Sequence, residues 1–132
     1  MKFVLDIVPP TVTAQTKRLR VIHGKPMFYE STRAREAREL IEAALTPHRP
    51  DAPIAGPVML SVVWMFPTKS HKEGAWRITR PDTDNLQKML KDCMTRVGYW
   101  GDDSQVCSEH IAKVWTRKRP GILIEVTQYG DD

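Results

Sequence analysis

The stretch Val58–Phe66 constrains the architecture of this chain more than any other. Val58, Leu60, Val62, Trp64 and Phe66 share one side of an extended run, and Met59, Ser61, Val63 and Met65 share the other. Side chains alternate across a strand, so these are its two faces. Both are largely apolar, which places the strand centrally in a sheet. Pro67 closes it, because proline has no N–H for the ladder.

The other elements follow from shorter patterns. Lys2–Val8 alternates, with Phe3, Leu5 and Ile7 on one side, and Pro9-Pro10 ends that strand. Residues 11–28 are polar and basic and form a loop, foldable as a short hairpin around His23-Gly24-Lys25. Ser31 or Thr32 caps a helix to about Leu45, with Ala34, Ala37, Leu40, Ile41, Ala44 and Leu45 as its apolar stripe. Residues 46–57 hold four prolines and read as a linker within the domain. A second helix runs from about Thr83 to Val97, with Leu86, Met89, Leu90, Cys93 and Val97 in one arc and Gly98 as its left-handed stop. Gln105–Trp115 and Ile122–Gln128 read as strands around the turn Arg119-Pro120-Gly121, and an antiparallel hairpin is expected of them. Trp64 and Trp100 suit a core. Trp76, in a basic loop, is the one tryptophan suited to meet a nucleobase. The order β-α-β-α-β-β predicts an α+β fold: a small mixed β-sheet with two main helices, in a single domain over 1–132.

Charge is unevenly spread. Residues 1–50 carry nine Lys or Arg against five Asp or Glu; residues 67–81 carry four against one; residues 101–132 carry six acids against four bases. Basic arms around an acidic centre suit a polyanion approached through a metal ion, although a mildly basic surface serves solubility equally well. No apolar run approaches the roughly 18 residues that span a membrane. Asp6 breaks the apolar start too early for a signal peptide, so a cytoplasmic protein is expected. Cys93 and Cys107 are expected on buried faces, reduced. The four histidines are scattered, and Cys107-Ser-Glu-His110 lacks a second ligand pair, which leaves no zinc pattern.

The chemistry gathers in Arg80-Pro81-Asp82-Thr83-Asp84-Asn85-Leu86-Gln87-Lys88 and in Asp102-Asp103 beyond the helix. A residue before proline is extended, so Asp82 and Asp84 can project to one side. Lys88 shares a helix face with Asp84. Mg²⁺ binds few carboxylates and keeps water and phosphate oxygens as further ligands, which two or three aspartates satisfy. Each acid also has a plainer use: Asp82 as a helix cap, Asp84 as a partner for the positive helix end, Asp102-Asp103 as turn formers. Lys69, Lys72, Arg77 and Arg80, in the loop that leads into the acids, are candidate DNA contacts together with Lys88.

The run Asp82-Thr83-Asp84-Asn85-Leu86-Gln87-Lys88, then Asp92 in the helix, then Gly98-Tyr99-Trp100-Gly101-Asp102-Asp103-Ser104-Gln105-Val106, closely resembles the RusA family of Holliday-junction resolvases. The resemblance implies a Mg²⁺-dependent, homodimeric endonuclease that resolves four-way DNA junctions in recombination and repair, often carried by phages and prophages. It implies that Asp82, Asp84 and Asp103 are metal-binding and catalytic, that Lys88 is the essential lysine, and that the neighbouring Asp102 is a further candidate metal ligand. Family members often carry Pro-Pro-Ser and then asparagine near the start; here the run is Pro9-Pro10-Thr11-Val12-Thr13. Two other readings stand beside the junction nuclease: a junction- or single-strand-binding module without cleavage, and a metal nuclease for other branched nucleic acids.

Overall fold

A computed structural model describes residues 1–13 and 17–130. Its elements are β1 (Lys2–Leu5), β2 (Lys17–Ile22), β3 (Lys25–Glu30), α1 (Thr32–Leu45), β4 (Val58–Pro67), α2 (Thr83–Val97), β5 (Val106–Thr116) and β6 (Gly121–Gln128). The main sheet has the order β1-β6-β4-β5, and β2-β3 forms a separate hairpin. The fold is thus the expected α+β arrangement with a mixed sheet and two main helices. The hairpin runs from Lys17 to Glu30, two residues beyond the polar 11–28 stretch, and its turn has positive φ at His23 and Gly24, as suits a tight two-residue hairpin. The tail residues Asp131 and Asp132, expected to fray, lie outside the described residues.

β4 is central, as its two apolar faces require. It pairs with β5 on one edge in parallel and with β6 on the other in antiparallel register. Val58, Leu60, Val62, Trp64 and Phe66 are all buried against the helices. The same core takes Ile41 and Leu45 from α1 and Leu86, Met89, Leu90 and Cys93 from α2. The helices are clamped together at the surface, where Arg96 Nε donates to Glu42 Oε1 at 2.6 Å and Arg38 pairs with Glu42 and Glu30.

Three expectations need correction. β5 and β6 are not a hairpin: β4 lies between them. α2 returns the chain parallel to β4 on one edge, and a hairpin there would leave the other edge of β4 without a partner. Residues 117–120 reach up to about 14 Å when extended, enough to cross two strand spacings of about 4.8 Å each. β1 stops at Leu5 rather than Val8, where Gly121 closes against it; a Cβ at Gly121 would lie 2.9 Å from the Leu5 carbonyl oxygen. Cys107 is exposed at the start of β5, whereas Cys93 is buried, its thiol pushed up to about 12 mainly by desolvation. Both cysteines are free, as expected.

Candidate functional site

α2 positions the acidic residues. Ser31 caps α1 by accepting from the Ala34 N–H, but Asp82, the N-cap of α2, makes no side-chain capping bond. Its carboxylate is exposed and uncommitted at the positive end of the helix. Asp84 is exposed in the first turn, and Asp84, Lys88 and Asp92 then follow at four-residue spacing along one stripe. Among the described residues no ion pair engages Asp82, Asp84 or Asp103. The approach to Asp82 is fixed from β5: Lys113 Nζ donates to the Thr79 and Pro81 carbonyls at 2.8 and 2.7 Å. Burial lowers the pKa of Lys113, the neighbouring Arg77 lowers it further, and Asp82 raises it.

The second acidic pair is built by a turn that closes on the far end of α2. Gln105 is its centre. Its Oε1 accepts from the Gly101 and Asp102 N–H groups at 2.9 and 3.1 Å, and its Nε2 donates to the Ile54 and Gly56 carbonyls at 2.9 and 3.0 Å. Asp102 caps the single 3-10 turn that follows, accepting from the Ser104 N–H at 2.8 Å, and that bond holds its carboxyl below the usual range. Asp102 is therefore occupied structurally. Asp103 is half-buried and lines one cleft with Asp92 of α2. Desolvation, then the charge of Asp103, pushes the Asp92 carboxyl above its ordinary value, while Arg96 and Lys88 pull it back. A cleft of about 270 Å³ lined by Asp92, Thr95, Arg96, Asp102 and Asp103 opens there.

The acids thus form two pairs along one helix rather than one cage. Eight residues at 1.5 Å each separate Asp84 from Asp92 by about 12 Å along the axis. Asp103 is placed at the Asp92 end, and among the described residues no three His, Cys, Asp or Glu side chains converge on one point. A hard cation is nevertheless suited by this set. Every donor is a carboxylate oxygen, Asp82 is unspent as a cap, and Asp92 and Asp103 repel each other without a cation between them. Mg²⁺ needs only one or two protein carboxylates when phosphate oxygens complete its shell.

The basic loop is more structured than its composition suggests. Lys69, Lys72 and Arg80 are exposed. Arg77 is not free: its guanidinium lies 4.2 Å over the Phe66 ring and 4.5 Å over the Trp115 ring, and it donates to Thr79 Oγ1 and the Arg80 carbonyl. Sequence reasoning noted Asp92 only as part of the helix and gave Gln105 no role beyond opening a strand. The helical spacing Asp84, Lys88, Asp92 was a usable signal for the first. The second depends on carbonyls some fifty residues away in sequence, which no local pattern reveals.

Comparison with known proteins follows the same lines. Residues 8–127 match the family model described as endodeoxyribonuclease RusA. The chain is 35% identical over 130 residues to a crossover junction endodeoxyribonuclease of Lactococcus phage r1t, covering 96% of this chain and 95% of that one. It is 24% identical over 110 residues to crossover junction endodeoxyribonucleases of Escherichia coli K12 and of Enterobacteria phage 82, covering 83% of this chain and 84% of each.

Proposed function

Since this chain belongs to the RusA family of endodeoxyribonucleases, we propose that it is a Mg²⁺-dependent, structure-selective endonuclease that resolves four-way DNA junctions by paired nicks, in recombination and repair. The observation that carries the reading is Asp82: an N-cap aspartate that caps nothing, one residue from Asp84, at the start of a helix whose stripe continues through Lys88. Asp82, Asp84 and Asp103 are the carboxylates assigned to metal and catalysis, with Asp102 spent mainly on its turn.

When bound, the cation lowers the pKa of a water and neutralises charge on the scissile phosphate. The chain's own residues supply the remainder. Asp82 and Asp84 offer acceptor oxygens beside a helix N-terminus whose free N–H groups favour a phosphate. Lys88 meets negative charge developing on that phosphate, or an adjacent one. Lys69, Lys72 and Arg80 hold the flanking backbone electrostatically.

Two nicks in opposing strands call for two sites related by a two-fold axis, so the active unit is taken to be a homodimer. Both helices cover one face of the sheet. The other face carries Val63 and Met65 of β4, Leu123 of β6 and the exposed Val4 of β1, on the side of the sheet away from the β5 edge. This apolar face is the surface best suited to a second copy.

The test is incubation of the full chain with four-way, forked and linear duplex DNA, with and without Mg²⁺. Cutting confined to the junction and dependent on Mg²⁺ is expected. Asp82→Asn and Asp103→Asn should bind junctions and not cut them, because each loses a ligand while reducing negative charge near phosphate. Normal nicking by either variant would remove it from the site. On a supercoiled cruciform a dimer should yield linear product directly. Accumulation of nicked circles, or a monomer in sedimentation at active concentrations, would exclude the paired-site unit.

A further inference from the structure

The segment between β4 and α2 is stitched to the outer edge of β5. The Gly74 N–H donates to the Trp115 carbonyl at 2.9 Å, the Trp115 N–H to the Ala75 carbonyl at 2.8 Å, and the Arg77 N–H to the Lys113 carbonyl at 3.0 Å. Glu73 accepts from the Thr116 hydroxyl and the Arg117 N–H at 2.8 and 2.7 Å. With Arg77 seated between two aromatic rings and Lys113 tied to the Thr79 and Pro81 carbonyls, the run is pinned from both ends.

Its polarity is inverted. The arginine faces the protein, while Trp76 is 72% exposed and Ile78 92% exposed. Trp76 bridges Val114, and bridged residues share a face of a sheet. Trp115, the next residue, packs on Phe66 toward the core, so Val114 and Trp76 lie on the opposite face. Exposed Lys69, Lys72 and Arg80 flank the pair in sequence. Trp76 is six residues before Asp82, a reach of at most about 21 Å of extended chain. That is roughly six base steps of duplex.

We propose that Trp76, supported by Ile78, is a stacking platform for an unstacked base at the branch point of the DNA substrate. The inference rests on the reading of this chain as a junction nuclease. An aromatic face on a backbone fixed on both sides, with cations flanking it in sequence, offers a base an apolar surface and its phosphates countercharge, the combination used to grip unpaired nucleotides. Bases inside a linear duplex already have stacking neighbours on both sides. Those at a crossover can lose one, so the platform acts on branched DNA and not on duplex arms.

The experiment measures binding of the full chain, with chelator present to prevent cutting, to a four-way junction and to a linear duplex of the same sequence. Trp76→Ala should weaken junction binding about ten-fold or more, Ile78→Ala less, and both should leave duplex binding within about two-fold. Trp76→Phe should retain most of the junction affinity. A 5-bromouracil at the branch point should photo-crosslink to Trp76, and one placed ten base pairs into an arm should not. Equal losses on junction and duplex, no loss on either, or no branch-point crosslink would overturn the platform. So would a change in sedimentation on Trp76→Ala, which would assign the residue to contact between copies. If the unaltered chain shows no preference for the junction, the junction-nuclease reading fails first, a result distinct from loss of preference in the variants alone.

Discussion

Gln105 offers the sharpest test of how the fold holds the second acidic pair. Its side chain makes four hydrogen bonds, two accepted from the N–H groups that open the Asp102-Asp103 turn and two donated to carbonyls of the 46–57 linker. Gln105→Leu removes all four at nearly constant volume. Each is worth about 0.5–1.5 kcal/mol net. The two N–H groups belong to exposed residues and regain water, so their loss costs little. The Ile54 and Gly56 carbonyls are partly buried and carry most of the effect, giving about 2 kcal/mol in total. For a chain of this size that is a drop in Tm of roughly 6–10 °C. Gln105→Glu should be no milder, because a carboxylate keeps the two accepted bonds but turns an oxygen toward two carbonyl oxygens.

Urea titration of both variants measures the stability term. Cleavage and junction binding measure what the turn does for Asp103. Nicking should fall well beyond any loss of binding, since only the carboxylate's placement against Asp92 has changed. A stability change under 0.5 kcal/mol, or nicking preserved in a destabilised Gln105→Leu protein, would refute the claim that Gln105 sets the position of Asp103.

Two further outcomes separate structural from functional charge. Lys69→Ala and Lys72→Ala should each flatten the log–log salt dependence of duplex binding by up to roughly 0.9. Arg77→Ala should instead cost about 1–2 kcal/mol of stability through its lost ring contacts, with little change in salt slope; fluorescence-monitored unfolding and binding at several salt concentrations distinguish the two. Asp92→Asn should stabilise the protein at pH above the raised Asp92 carboxyl value. Its carboxyl is raised in the folded state, so the native protein loses stability as pH climbs from the ordinary carboxylate value through the raised one. The asparagine variant escapes that loss, and its advantage in Tm should grow across that window, vanish below it, and shrink when Mg²⁺ is added.

The sequence carried the helices and the central strand because their signals are local and redundant. α2 begins and ends where its apolar arc, N-cap residue and Gly98 (φ 105°) place it. β4 lies between two partners because both of its faces are apolar. Strand partnership is different. The sequence of β5 and β6, with a turn-forming Arg119-Pro120-Gly121 between them, is as compatible with a hairpin as with two strands flanking β4. What decides is the vacant edge that β4 presents once α2 has returned the chain on the other side, a fact of the whole sheet.

The same limit divides the site. Asp82, Asp84 and Lys88 are legible because one helix spaces them. The partner of Asp103 is not, because it depends on where the chain lands after Gly98. Arg77 shows the limit in the other direction. By composition it belongs with Lys69, Lys72 and Arg80 as a cation for DNA, yet its neighbours in space are Phe66 and Trp115. Planar and delocalised, a guanidinium gives up its water more readily than an ammonium and can lie between rings. That choice turns Trp76 and Ile78 outward. An arginine half-buried against aromatics beside a tryptophan left in water is the opposite of what stability alone selects, which is the ground for proposing a use of the exposed pair outside the fold.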